Sequence, residues 1–410
     1  TVTWGWFLEW LTMKEKIIYW LKNALLLNIS IFLILAPFSK KGVKISLLIA
    51  IALWILITIA EFGSHFYKHL IAKTPVNKPL LFFWIALLLS TIFSIDPYYS
   101  HAVLLERYLG YILFFFLGSY LIKDNRRTLF LLGAILFSSM VMGIGGLWDH
   151  VHNPQIRLDS SFGYLISITH FLVIYTPLNC IVFLFIKNKF FKFSALFGLL
   201  FLFPSLIFTF SRGAWVSVLG SLLIVSFFKN RKIACCLLIV FILIGLFLPQ
   251  YLQQRAITTV NPLAWGERLP LWKISLKIAA DFPVFGAGLG MYEKILALYW
   301  KPSVLSSRLP HWDVHNNYLQ VVSETGIIGL IAFIWIFISF FKHVFVTFKK
   351  MSEDQQVILM SLTGSVLASL IFAISASNIT VGVQPVAMFW FLFGMASGLI
   401  GLREDKVNTV

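Results

Sequence analysis

The chain has 410 residues, of which 59% are hydrophobic and only 12% charged, with a mean hydropathy of +0.87. A soluble domain carries about a quarter charged residues, so a water-soluble globular protein is excluded and a polytopic membrane protein is indicated. The formal net charge is +16, largely the excess of lysine and arginine that membrane proteins keep in their cytoplasmic loops.

In chain order, Met13-Lys14-Glu15-Lys16 reads as a natural start, and the residues before it are set aside in assigning function. No cleavable signal peptide is expected, so the first span should stay in place as an anchor. Apolar runs able to cross about 30 Å of hydrocarbon as helices fall near 17–38, 43–62, 80–95, 102–122, 128–148, 162–186, 191–210, 213–228 and 233–250. After a hydrophilic segment at 251–325, three more follow near 326–345, 356–375 and 383–402. The expectation is an all-α protein of about twelve spans, with residues 1–16 and 403–410 cytoplasmic; the third and eighth spans are short enough to be tilted, broken or re-entrant.

Alternate connections are basic: Lys68, Lys73 and Lys78; Lys123, Arg126 and Arg127; Lys187, Lys189 and Lys192; Lys229, Arg231 and Lys232; Lys342, Lys349 and Lys350. These five loops should be cytoplasmic, which places 251–325 outside; Lys40, Lys41 and Lys44 run against the pattern. The outer segment is nonetheless basic, with Arg255, Arg268, Lys273, Lys277, Lys294, Lys301 and Arg308. An anionic ligand such as a phosphate or a lipid headgroup would account for that. Cys180, Cys235 and Cys236 lie in or beside spans, and no structural disulfide is expected.

Several polar groups stand out against this background. Arg157, in the loop after the fifth span, and Arg107, at the outer start of the fourth, read first as surface or interhelical charge partners and only second as phosphate ligands. Asp149, His150 and His152 form an acid and imidazole group after the fifth span. In Phe210-Ser211-Arg212-Gly213-Ala214-Trp215, Arg212 offers a guanidinium matched to phosphate oxygens; the alternative is an arginine snorkelling to the interface beside a belt tryptophan. Residues 265–280 have the spacing of an amphipathic helix on the outer leaflet. Arg268 at its start is placed to add to the positive end of the helix. Gly286, Gly288 and Gly290 follow no strand, so a tight loop is a better reading than a dinucleotide site. In Pro310-His311-Trp312-Asp313-Val314-His315-Asn316-Asn317, His311, Asp313 and His315 are spaced for a metal site, a base with an orienting carboxylate, or a polar loop. Asn316 and Asn317 are natural caps for a helical run over 316–325 that Gly326 ends. An imidazole suits proton abstraction from a sugar hydroxyl.

Taken in order, Ser211-Arg212-Gly213-Ala214-Trp215, Gly286-Ala287-Gly288-Leu289-Gly290, His315-Asn316-Asn317-Tyr318-Leu319-Gln320 and Glu324-Thr325-Gly326-Ile327-Ile328-Gly329-Leu330 resemble the O-antigen ligase and polymerase superfamily over roughly 200–345. The resemblance implies a GT-C-like, metal-independent, inverting glycosyltransferase of the inner membrane with a periplasmic site and no cofactor. Its donor is a glycan on undecaprenyl diphosphate and its acceptor, in a ligase, is lipid A-core; membrane lipid surrounds it and nucleic acid is not a partner. By motif, His315 matches the proposed general base, and Arg212 and Arg268 match arginines proposed to bind the diphosphate. His311, Asp313, Asn316 and Arg157 are supporting candidates, His311 and Asp313 with no motif to carry over. A ligase is favoured over a polymerase or a protein O-oligosaccharyltransferase; a transporter of lipid-linked glycans is the alternative that is not an enzyme.

Overall fold

The structure is a computed structural model and describes residues 2–65, 71–152, 168–247, 250, 253, 268–300, 314–380 and 384–408. Fourteen helices run through them in chain order: α1 (Val2–Leu35), α2 (Lys40–Phe62), α3 (Asn77–Ile92), α4 (Pro97–Leu121), α5 (Asn125–His152), α6 (Ile168–Phe185), α7 (Lys189–Phe208), α8 (Arg212–Lys229), α9 (Arg231–Phe247), α10 (Arg268–Asp281), α11 (Met291–Tyr299), α12 (Asn317–Phe348), α13 (Glu353–Phe372) and α14 (Gln384–Asn408). Ten are long and apolar enough to cross a membrane, and α3 is a shorter apolar helix of 16 residues. The chain is thus an all-α multi-pass membrane protein. Each expected span has a helix at its place, although the second short one is the ninth, of 17 residues, rather than the eighth, and α1 starts well before residue 17.

Helical structure is what a backbone in hydrocarbon requires, because no water is present to satisfy its N–H and C=O groups. The ends are set by caps. Ser39, Asp96, Asn188, Ser211 and Asn316 each accept backbone N–H bonds from the next turn, and Ser352 forms a capping box with Gln355. The distortions also have identifiable causes. A π-turn interrupts α4 at Leu104–Tyr108, prolines sit inside α6 and α7 at Pro177 and Pro204, and α12 is broken at Gly326 with φ 65° and ψ −169°.

At the centre α14 packs against α4, and α13 packs on α6 and α8. Closeness at the first of these contacts comes from glycine: a Cβ on Gly118 would meet the Phe391 carbonyl, and one on Gly394 the Phe115 carbonyl. Phe337, Phe340, Phe389 and Phe393 fill the adjoining layer with edge-on and tilted ring contacts.

The helix ends sort onto two faces. On one, Lys187 pairs with Glu353 and Lys22 with Glu61, Lys229 Nζ donates to Gln356 Oε1 at 2.7 Å, and Ser339 donates to the Pro75 carbonyl at 2.9 Å. The other gathers 94–100, 209–213, α10, the glycine loop, α11, 314–317 and 373–380, joined by the bonds described next. Three of the five basic loops reach the first face through those contacts or through the approach of Gly401 to Lys73, Lys123 beside Glu61 brings the fourth there, and α12, ending just before Glu353, brings the fifth.

Candidate functional site

The second face is built around the start of α12. His315 is half-buried and adopts a left-handed backbone, φ 51°, a conformation that costs an L-residue about 1–2 kcal/mol. Phe210, two residues before Arg212, is the other non-glycine residue with positive φ among the described residues, at 52°. Such strain persists where the surroundings over-determine it and gathers at functional positions. After His315, Asn316 Oδ1 accepts the N–H groups of Tyr318 and Leu319, both at 3.0 Å, so this side chain is engaged as the helix cap. Asn317, fully buried, donates its backbone N–H to the Ala373 carbonyl at 2.8 Å and accepts from Ile379 N at 3.0 Å. The start of α12 is thereby fastened to the turn that follows α13.

That same turn receives α8. A Cβ on Gly213, next to Arg212, would run into the Ser375 hydroxyl, with Phe372 behind it. Arg212 is the first residue of α8, half-buried, with Ser211 as its N-cap; the positive end of a helix lies at its backbone. Thr209 braces the cap by accepting Ser211 N at 3.2 Å, and Trp215 Nε1 donates to the Leu206 carbonyl at 2.8 Å, which fixes the α7–α8 corner. The tryptophan is therefore tied to its own corner rather than serving only as a belt residue.

On the other side of His315 lies α10. Trp272 Nε1 donates to the Val314 carbonyl at 3.1 Å, and Ser275 Oγ donates to the Leu319 carbonyl at 2.8 Å. Arg268 opens α10 one turn before Trp272, which is roughly 6 Å along the axis. This helix does not simply float on a leaflet: Leu271, Ser275 and Ile278 are buried, with Leu271 and Ile278 in a small core with Met291, Tyr292, Ile295, Leu296 and Val314. Lys273, Leu276 and Lys277 remain exposed. The segments that carry Arg212, Arg268 and His315 are thus joined through neighbouring residues, Gly213 at Ser375, Trp272 at Val314 and Asn317 at Ala373. His311, Asp313 and Arg157 lie outside the described residues.

The glycine segment is a tight loop that docks on the break in α12. Ala287 N donates to the Ser323 carbonyl at 2.9 Å, Gly288 N to the Glu324 carbonyl at 3.0 Å, and Ile327 N to the Pro283 carbonyl at 2.9 Å. Gly286 (φ 73°) and Gly326 (φ 65°) press their backbones together so closely that a Cβ on either would strike the other segment. The loop also reaches the α3–α4 turn, where Ile95 N donates to the Ala287 carbonyl at 3.1 Å and Ser100 Oγ to the Leu289 carbonyl at 3.0 Å.

Some of the outer basic charge is already neutralised locally. Lys294 pairs with Asp96 at 2.9 Å and lies over the Tyr99 ring at 3.6 Å; the Tyr99 N–H and then the lysine hold the Asp96 carboxyl below its ordinary range. Tyr299 donates to Asp281 Oδ2 at 2.7 Å, a bond that pushes the phenol up to about 12, and Lys277 sits 5.4 Å from the same ring. Arg107 is half-buried on the π-turn of α4, with Glu324 and Glu293 within electrostatic reach.

Glu324 is the residue that sequence reasoning quoted but gave no role. At 2% exposure it is the one buried carboxylate among the described residues. An acid in an otherwise apolar run was the signal, because intramembrane charge is costly and is kept for a purpose. His150, stacked on Phe208 at 3.7 Å, and His170, edge-on to Phe372 at 5.3 Å, border the Arg212 wall.

A multi-pass helical bundle thus carries a half-buried imidazole at the start of α12, with the starts of α8 and α10 fastened to segments beside it. Residues 197–334, about a third of the chain, match the family model described as O-antigen ligase, which supports a likeness to the O-antigen ligase superfamily over that stretch. The match contains Arg212, Arg268, the glycine loop, His315 and Glu324. Members of this family are glycosyltransferase-like ligases and polymerases that act on lipid-linked substrates. A comparison with curated proteins finds no match.

Proposed function

We propose that the protein is an O-antigen ligase, which transfers a glycan from undecaprenyl diphosphate to a hydroxyl of lipid A-core at the periplasmic face of the inner membrane. The observation that supports this reading is a shared set of contacts: Trp272 on Val314, Asn317 on Ala373 and Gly213 on Ser375 link the segments that carry Arg268, His315 and Arg212. Two guanidinium groups beside an imidazole match the charge changes of glycosyl transfer. His315 takes the proton of the acceptor hydroxyl, and the freed oxygen attacks the anomeric carbon from the side opposite the diphosphate. The bond from that carbon to the diphosphate oxygen breaks, and its electron pair leaves with the diphosphate. Arg212 and Arg268 stabilise the charge that grows there, in the manner of preorganised donors. Basic loops collected on the opposite face support a periplasmic site by the positive-inside rule.

The test is transfer in nanodiscs from an undecaprenyl-diphosphate glycan to lipid A-core with chelator present, comparing wild type with His315→Ala. Chelator-resistant transfer that falls about a hundredfold or more in the variant, with donor binding retained, is the expected result. Growth of the glycan on its own donor, with none on lipid A-core, would make the protein a polymerase. Movement of the donor across the bilayer without any transfer would make it a transporter.

A further inference from the structure

Beneath the site lies a connected polar network that the transfer chemistry does not use. The Glu324 carboxylate accepts from Gln320 Nε2 at 3.3 Å and from the Gly290 N–H, and the Arg107 guanidinium is within its electrostatic reach. Gln320 Oε1 in turn accepts from Thr380 Oγ1 at 3.3 Å, and Thr380 Oγ1 accepts from Asn317 Nδ2. Asn317, Gln320, Glu324 and Thr380 are all at most 5% exposed. The Glu324 backbone is held as firmly as its side chain, its carbonyl accepting Ser90 Oγ at 2.7 Å and Gly288 N at 3.0 Å. One residue therefore ties α3, the glycine loop and the first turns of α12 to one another, and the chain of bonds ends two residues from His315.

An ionisable group at such depth is rare unless it acts or is matched, and breaking a buried pair by removing one partner is far more damaging than never having made it. We propose that Glu324 is a positioning residue for the transfer reaction: its carboxylate, bonded by Gln320 and Gly290, and its carbonyl, bonded by Ser90 and Gly288, fix the glycine loop and the start of α12 in the one register that presents His315 to the acceptor. It touches no substrate itself. The kinetic half of this inference rests on the ligase reading; the chemical half does not.

The experiment compares wild type, Glu324→Gln, Glu324→Asp and Arg107→Gln in nanodiscs by three readouts: kcat and donor KM, melting midpoint, and the rate at which diethyl pyrocarbonate modifies His315 relative to His65 on the opposite face. For Glu324→Gln, kcat should fall about tenfold to a hundredfold, the scale of a small misplacement, with donor KM changed less than about twofold. His315 modification should shift at least about threefold while the midpoint stays near wild type, and Glu324→Asp, which keeps the charge, should retain more turnover. Arg107→Gln should move the same readouts in the same direction. Wild-type kcat together with wild-type His315 reactivity in Glu324→Gln overturns the proposal. So does a kcat loss that only follows a collapsed midpoint, with His315 reactivity of the folded protein unchanged. If the wild-type protein transfers no glycan, the ligase reading fails, and the His315 reactivities alone still decide the role of Glu324.

Discussion

A guanidinium and an ammonium carry the same charge but not the same geometry, and this distinction separates a diphosphate ligand from a charge that merely reaches for the interface. Arg212 and Arg268 each open a helix, so a phosphate there would meet a planar fork of donors and the positive end of a helix together. Lysine at either position keeps the charge and loses the bidentate match. Arg212→Lys and Arg268→Lys should therefore lower kcat/KM for the lipid-diphosphate donor by about tenfold, near 1.4 kcal/mol, and glutamine at either position should lower it further. Lysine variants with wild-type kcat/KM would return both residues to the role of snorkelling cations. At this scale the sequence was legible where chemistry is carried by residue type: the two arginines and His315 stand in recognisable motifs, and Asn316 could be read as a cap. It was illegible where the role depends on what lies opposite. Nothing in Glu324-Thr325-Gly326 reveals that its carbonyl receives the Ser90 hydroxyl, more than two hundred positions earlier, because a long-range bond leaves no local pattern.

The elements that carry these residues are held by a few directional bonds, and two of those bonds can be tested separately. Trp272→Phe preserves the ring that packs in the small outer core but deletes the bond to the Val314 carbonyl, worth about 1 kcal/mol net. Its effect should fall on the register of α10 against His315. A loss of kcat of several-fold, larger than any change in melting midpoint would imply, is expected; full activity would show that α10 is positioned by packing alone. The second bond is electrostatic. Because Asp96 titrates below its ordinary value, the Asp96–Lys294 latch stabilises the protein at pH values above that ordinary value. The contribution is lost as pH falls through the lowered one. Protection factors of the amides across 285–299, taken relative to intrinsic exchange at each pH, should fall between pH 5 and about pH 3 in wild type more than in Asp96→Asn, where the latch is already open. An equal fall in both would remove the latch from the account. The sequence showed α10 through its spacing and the glycine loop through its composition. It did not show that α10 buries Leu271 and Ile278 against protein instead of lipid, since both surroundings demand the same apolar stripe.

For the molecule as a whole, hydropathy alone was enough to indicate the class, because long apolar runs cross hydrocarbon as helices, whose backbone groups are satisfied within the segment. Where the spans begin and end was less legible: apolar runs stop at different places from the caps, and α12 contains both the 316–325 run and the tenth expected span, joined through the break at Gly326. Orientation is the property on which the proposed chemistry depends most, since a periplasmic acceptor can meet His315 only if the loop face is outside. Lys273 is exposed on α10 at that face, and Lys189 is exposed at the start of α7 on the opposite one. Of the native thiols, Cys180 is buried while Cys235 and Cys236 are exposed near the start of α9, so a background with all three replaced is needed. In that background, Lys273→Cys should react with a membrane-impermeant maleimide added outside intact spheroplasts, and Lys189→Cys should react only after permeabilisation. The reverse pattern would put the site in the cytoplasm, beyond reach of the lipid A-core at the outer leaflet, and the ligase reading would have to be abandoned. The five basic loops argue for the first outcome because each would have to be moved across the membrane against its charge to give the second.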